Sequence, residues 1–600
     1  MFAHLTTLKC RLAFVFLLSV CGLAQAATIT ADNVSQSAFQ AAIDAAIDGD
    51  TVVIPAGTGI WTEAVTIPPI AITVRGAGID ETIIVDNINK EPGGGHSTLV
   101  IFTAAEKPFR LTGMTFRGMA PDPVSMNQGT VVLWGYGNKV RLDHLKFDKP
   151  GTACIRWTGA VVGVLDSSYF DTSNGTTGIL LSSPSWGGHE HGDGSWAEPT
   201  YYGTDRAVYI EDNTFIGPGY AGNGPVDAYG GARMVFRNNS VHNDVAATHG
   251  TETPGRLRSV RSYEIYNNTF TTDALLFTGI FLRGGTGVIW GNTFSGSGGE
   301  TGYQSMVVAR NYRSVSPYFL WGQCDGTNPW DGNTDALGYP ALDQVGRGQG
   351  DLISGYQPTP IAWPNQQSEP LYIWGNDWTP VPNNPAPRVS PWEAVIQQDR
   401  DFFLSAKPGY TPYTYPHPLR GSSVFTGQTP AGTHSDGPYE LGMKIRSSED
   451  GSINALRFYK VAGDTGTHIG RLWDSNGSEL ASATFIDETA SGWQEMALSS
   501  PVSITAGTTY IVSVNSTGGY PATRGGFGNA IENGQLTGLA DGTDGGNGVY
   551  SLAPGNFPTS TYNSANYFRD VVFAPAVYAS LTGAMSIFTT QAPLNTYGDG

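Results

Sequence analysis

The chain has 600 residues, 78 of them glycine, with 14% charged residues and a formal charge of −19. At 40% hydrophobic residues, with Trp 14, Tyr 27 and Phe 26, it is too apolar for a disordered protein, and its glycines follow no Gly-X-Y period. An acidic chain repels phosphate backbones, which excludes nucleic acid as the expected partner. Little Lys, Glu and Leu beside abundant Gly, Thr, Ser and Asn points to short strands joined by turns, so the expected class is all-β.

The first segment reads as an export signal. Lys9 and Arg11 precede the apolar run Leu12 to Val20 and the small-residue pattern Ala24-Gln25-Ala26. Residues 1–26 are therefore expected to be removed, which predicts a secreted, extracellular monomer, with the periplasm as the alternative compartment. No later run reaches the ~18 apolar residues of a membrane span, so no membrane insertion is expected. Cys154 and Cys324 are then the remaining cysteines, which one long-range disulfide can join.

A short helix is expected around Ser37 to Ile47, followed by strands at Thr51 to Ile54 and Ile72 to Arg75. From there similar segments recur: LDHLKF at 142–147, LDSSYF at 165–170, IEDNTF at 210–215, FRNNSV at 236–241, IYNNTF at 265–270 and IWGNTF at 289–294. Their last residues, Phe147, Phe170, Phe215, Val241, Phe270 and Phe294, are spaced by 23, 45, 26, 29 and 24 residues. That is the period of one rung of a parallel β-helix, the 45-residue step reading as two rungs with an insertion.

Strand side chains alternate between faces, so the alignment sorts them. Leu142, Leu165, Ile210, Phe236, Ile265 and Ile289 form an interior column. Asp143, Asp166, Glu211, Arg237, Tyr266 and Trp290 form the outward column beside it. Asn213, Asn239, Asn268 and Asn292 share one turn position, which predicts an amide ladder at a rung spacing of ~4.8 Å.

Beyond Phe294 the pattern loosens, and only Leu371 to Trp374 resembles a further rung; the rest of 317–421 is expected to pack on and cap the solenoid. The boundaries drawn are a β-helix with a loop-rich cap over 27–425, a polar linker over 426–437, a β-sandwich over 438–575 and a tail over 576–600. The sandwich strands are expected at Leu441 to Ile445, Ile453 to Tyr459, Gly470 to Trp473, Trp493 to Leu498 and Tyr510 to Val514.

Candidate chemistry concentrates in 226–270, where Asp227, Tyr229, Arg233, Arg237, His242, Asp244, His249, Glu252, Arg256, Arg258, Arg261 and Glu264 stand close in sequence. Five of these are arginines in an acidic, charge-poor chain, which suits an anionic polymer. For β-elimination of a uronate, His249, Tyr229 or an arginine is the expected base or acid, with Arg256, Arg258 and Arg261 neutralising the carboxylate. Asp227 and Glu252 complete the catalytic set. The competing reading is a charged face with internal ion pairs. Arg237, His242, Tyr266 and Trp290, with Trp186 and Trp196 on an insertion read as a substrate-covering loop, are the expected sugar-binding residues. Asp143 and Asp166 on neighbouring rungs would repel unless a base or a cation lies between them, and calcium is the cation such carboxylates accept. His189, His191 and Asp193 form a weaker metal pattern.

The rungs from about 48 to 310 resemble the right-handed parallel β-helix proteins of the pectate-lyase-like superfamily, and RGGTGVIWGNTF, GYPALDQVGRG and GYTPYTYPHPL resemble a secreted bacterial branch of it. YELGMKIRSS, LRFYK and GTHIGRLWDSNG resemble a bacterial extracellular domain of unknown function appended to secreted enzymes. The resemblance implies the fold and a polysaccharide partner. The Asp-His and Arg-x-Pro-x-x-Arg signatures of pectate lyases have only loose echoes in Asp143-His144 and Thr253 to Arg258, and the Asn-Thr-Asp, Asp-Asp, Gly-His-Gly order of polygalacturonases is absent. Three readings stay open: a lyase, a glycoside hydrolase using Asp227, Asp244 and Glu252, and a non-catalytic glycan-binding or adhesion protein.

Overall fold

The computed structural model describes residues 27–575 apart from 90–96, 120–128, 221–223, 252–256, 312, 314–320, 333–339, 354–361, 383–388, 392–394, 426–427, 487 and 534. The expected signal segment, the tail, Glu252, Arg256 and Asn333-Thr334-Asp335 lie outside the described residues.

The helix Gln36–Ala45 starts where the Ser35 side chain accepts the Ala38 N–H at 3.3 Å. It buries Phe39, Ala42 and Ile43, and Phe39 meets Trp61 edge-on at 5.2 Å, closing the N-terminal end of the solenoid. Twenty-nine strands then pair in parallel to form a β-helix of three walls. The registers match the sequence alignment: Leu142, Leu165, Ile210, Phe236, Ile265 and Ile289 are successive partners, continued by Ile373. All are buried, and beside them Phe116, Phe147, Phe170 and Phe215 stack at 5.4, 5.1 and 4.6 Å.

The amide ladder is present and longer than expected. The Nδ2 groups of Asn213, Asn239, Asn268 and Asn292 donate to the next Oδ1 at 3.1, 3.0, 2.9 and 2.9 Å, ending on Asn376. Each Oδ1 also accepts the backbone N–H of the preceding asparagine, so the buried turn satisfies itself. The bend just before it requires a left-handed residue, met by Asp212, Asn238 and Asn267 at φ 57° and by Gly291 at φ 66°.

Two expectations change. Phe170 pairs directly with Phe215, so the 45-residue step is one rung and not two. Its excess length folds outward as the turn Trp186–Gly188 and the helix Asp193–Ala197. Secondly, the 426–437 stretch is not a bare linker: Gly432–His434 pairs with Tyr520–Ala522, and Val424 and Phe425 already sit in the core of the second unit. That unit carries an eight-stranded and a three-stranded antiparallel sheet around Met443, Ile445, Leu456, Leu472, Val512 and Phe573, with every expected sandwich strand in place.

Among the described residues no helix is long and apolar enough to cross a membrane. Cys154 and Cys324 are both buried and are not joined by a disulfide.

Candidate active site on the first wall

One wall contains the strands Ala153–Trp157, Ile179–Ser182, Val226–Tyr229, Ala246–Thr248, Leu275–Leu282 and Gly302–Ala309. Its inward residues, such as Ile179, Val226, Ala228 and Ile280, belong to the core. The outward residues form two columns. Leu180, Asp227, Ala247, Phe281 and Val308 are successive register partners in one. In the other, Ser182 pairs with Tyr229, and His249, Arg283 and Arg310 each follow the last paired residue of the next three strands. Adjacent rungs therefore bring Asp227, Tyr229, His249 and Arg283 together although they span more than fifty residues of sequence.

Arg283 is the organiser. Its backbone N–H donates to Thr248 Oγ1 at 3.0 Å and its Nε to the Thr248 carbonyl at 2.6 Å. Thus anchored, its Nη2 reaches Asp227 Oδ1 at 3.2 Å and its Nη1 faces His249 Nε2 at 3.4 Å. A guanidinium nitrogen only donates, so the facing imidazole nitrogen accepts in this contact. The His249 backbone is fixed by its N–H on the Ala228 carbonyl at 2.8 Å. Asp227, Tyr229 and His249, all expected from the sequence, converge here; Arg283 was quoted there only within a motif.

The expected carboxylate clamp lies elsewhere. Arg258 grips Asp343 at 2.9 and 3.0 Å, also meets Asp193, and is 2% exposed. Arg261 binds Glu369 at 2.8 Å and the Glu198 carbonyl, and is fully buried. Neither can receive a substrate carboxylate. Arg233, also fully enclosed, donates to the Ser195 and Pro199 carbonyls, and burial with Arg261 nearby pushes it down to about 9. The 183–206 insertion, with Asp343 and Glu369 from later in the chain, covers all three. Trp186 and Trp196 are fully buried beneath that cover, with Arg233 over Trp186 at 4.9 Å and Arg258 over Trp196 at 5.0 Å, so they form no mobile sugar-covering loop.

The second wall is closed in the same way. Tyr413, Thr414, His417 and Arg420 come from a strap that runs back along it. Beneath and within the strap, Arg110, Asp143, Arg141, Asp166, Arg420, Glu211 and Arg237 alternate in sign, with successive separations of 2.7, 3.4, 3.0, 3.2, 3.0 and 2.6 Å. Asp143 and Asp166 thus have a base between them, Arg141, and not calcium. Burial pushes Asp143 up, yet Arg110 and Arg141 hold it well below the usual carboxylate range. With every oxygen facing guanidinium groups, this pair does not fit a metal, and no described group of three or more His, Cys, Asp or Glu does. Asp193 likewise serves Arg258 and the Ile353 N–H, which removes it from the His189 and His191 pattern.

Arg237 is enclosed under the strap, and its Nη1 donates to the Tyr266 hydroxyl at 2.9 Å. Tyr266 stacks on Trp290 at 4.6 Å and Trp290 on Trp374 at 5.9 Å, so the expected sugar platform spends its faces on itself. His242 is on the third wall beside Thr271, at 3.0 Å, away from the first wall. Asp244 is fully buried; its Oδ1 accepts the Val245 N–H, its Oδ2 has no partner among the described residues, and burial raises it to about 8. It is therefore a neutral interior acid and cannot pair with Asp227 across a groove as hydrolysis would require.

The family model for a domain of unknown function, DUF4082, matches residues 427–569. None of the curated proteins matches the chain. Among solved structures, the alginate lyase from Paenibacillus sp. str. FPU-7 is 19% identical over 47% of this chain and 99% of its own, with a TM-score of 0.30. The catalytic domain of a GH87 alpha-1,3-glucanase in complex with nigerose is 12% identical over 64% of this chain and 68% of its own, at 0.27. The enzymatically active domain of bacteriophage CBA120 tailspike protein 4 is 12% identical over 81% and 63%, at 0.25. At these values the likeness carries no assignment of activity.

Proposed function

We propose that the protein is a secreted carbohydrate-active enzyme that cleaves an acidic, uronate-containing polysaccharide by β-elimination on the first wall. The observation that supports this most is the convergence of Asp227, Tyr229, His249 and Arg283 on one outward face. A solenoid presents such a face as a long track, which suits an extended polymer.

In this reading the uronate carboxylate lies against Arg283, which stabilises the charge that develops when the proton α to it is removed. His249, neutral in this reading, takes that proton at Nε2 once the substrate carboxylate has drawn the Arg283 guanidinium away from that nitrogen. The C4–O4 bond breaks, its electrons leave with the oxygen, and the C–H pair becomes the C4=C5 double bond. The Tyr229 hydroxyl protonates the departing oxygen and is restored from solvent. The sandwich serves as an accessory binding unit.

Incubation with a panel of uronic-acid polymers tests the reading. A lyase releases fragments carrying an unsaturated uronate that absorbs in the ultraviolet. New reducing ends without that absorbance would make it a hydrolase, and binding without fragments an adhesin; either result overturns the elimination.

A further inference from the structure

The strap that closes the second wall is also the entry into the second unit. At one end, the Tyr413 and Thr414 carbonyls accept from Arg237 at 2.9 Å, the His417 N–H donates to Glu211 at 2.9 Å, and Arg420 meets Asp166 and Glu211 at 3.2 and 3.0 Å. At the other, Ser422 exchanges two backbone hydrogen bonds with Phe573 at 2.7 Å, and the Val424 and Phe425 N–H groups donate to the Asp570 carboxylate at 2.9 and 3.1 Å. Val424, Phe425 and Asp570 are fully buried, and Asn533 Nδ2 donates to the Ser423 carbonyl at 2.7 Å. Gly421, Ser422 and Ser423 alone separate Arg420 from Val424, a reach of at most about 14 Å. Gly421 is left-handed at φ 88°, and a Cβ there would stand 2.8 Å from the Phe573 carbonyl oxygen.

We propose that the second unit is a clip for the solenoid: its last strand, Arg569–Pro575, holds the strap, and the strap keeps the charges of the second wall paired. Without the strap, Asp166 and Glu211 each keep one arginine instead of two, and Arg237 loses two carbonyl acceptors. Such losses are costly for enclosed charges. Apart from the Ser422 bridge, the strap's own secondary structure is the single turn Pro418–Arg420, so its order comes from the two units that it joins. A second contact fixes their orientation. Arg75, in an early rung, donates to the Leu498 and Ser499 carbonyls at 2.7 and 3.0 Å. A short connection anchored at both ends, with a guanidinium on two carbonyls elsewhere, makes the units one cooperative body and not a module on a flexible tether. This coupling holds whichever polymer the first wall takes.

Hydrogen exchange and thermal unfolding of the full chain test this. The wild type should unfold in one transition. Asp570→Ala, which removes the acceptor of two strap amides, should raise exchange about tenfold in the segments 206–216 and 410–421, although no residue there is altered. Asn533→Ala, which removes only the side-chain bond to Ser423, repeats the measurement should Asp570→Ala fail to fold. A flexible Gly/Ser insert between Gly421 and Ser422 keeps every side chain and adds slack. With it, the sandwich should melt apart from the solenoid, and Asp570→Ala or Asn533→Ala should no longer alter exchange in 206–216. Unaltered exchange in 206–216 when either residue is replaced without the insert would overturn the clip, as would two separate transitions in the wild type.

Discussion

The second wall and the first are built from the same rungs, yet they use arginine differently. On the second wall, Arg110, Arg141, Arg237 and Arg420 are interleaved with four carboxylates beneath and within a strap of chain, and the guanidinium groups serve the fold. On the first wall, Arg283 is held by its backbone and Nε, keeps 15% of its side chain exposed, and directs terminal nitrogens at His249 and Asp227. Coverage by distant segments, more than local sequence, separates the two settings.

The comparison can be broken most forcefully at Arg420. Arg420→Ala leaves Asp166 and Glu211 buried with one partner fewer, and loss of one member of such a network costs about 3–5 kcal/mol. Thermal melting should show the solenoid destabilised by that order, whereas Asp227→Asn should shift it by less than about 1 kcal/mol. A smaller effect is expected from His249→Ala: folding intact, and ultraviolet-detected turnover down about a hundredfold or more, the usual contribution of a general base. Full activity in that variant would remove His249 from the mechanism.

Asn268→Ala interrupts the amide ladder and strands the Asn239 amide and the Phe236 carbonyl, for which about 1–3 kcal/mol is expected from denaturant unfolding. The smallest effects are pH-dependent. Asp244, raised to about 8, favours folding fully below its ordinary value and loses that contribution as pH climbs towards 8. Asp244→Asn should flatten this slope and raise the melting temperature at pH 8 by a few degrees, about the shift that 1 kcal/mol produces. In the sandwich, His468 is buried with Nε2 at 3.0 Å from Asp464 and Nδ1 at 2.8 Å from Glu488, so it is held as an imidazolium. Its value is raised, so its contribution is full at acid pH and fades as pH rises past neutrality; His468→Gln should remove that part of the sandwich's pH dependence.

Much of this architecture was legible in the residues. The rung register, the interior column and the asparagine ladder follow from one period, because a solenoid repeats its turn chemistry at every rung. Of the candidate site, the crowding of polar residues in 226–270 singled out Asp227, Tyr229 and His249, and the strand register places those three on neighbouring rungs. The arginine stretch misled because the elements that cover it, 183–206 and the strap ending at Arg420, come from distant sequence, and local pattern carries no record of what will cover a face. Arg283 escaped because it stands alone among glycines, and only the strand register shows that it neighbours His249.

Arg283→Met and Arg258→Met, assayed side by side for melting temperature and for ultraviolet-absorbing product from a uronic-acid polymer, test the central claim most directly. The account predicts that Arg283→Met melts close to the wild type and loses product formation, while Arg258→Met melts far lower. An Arg283→Met protein that folds and releases product at the wild-type rate would contradict it.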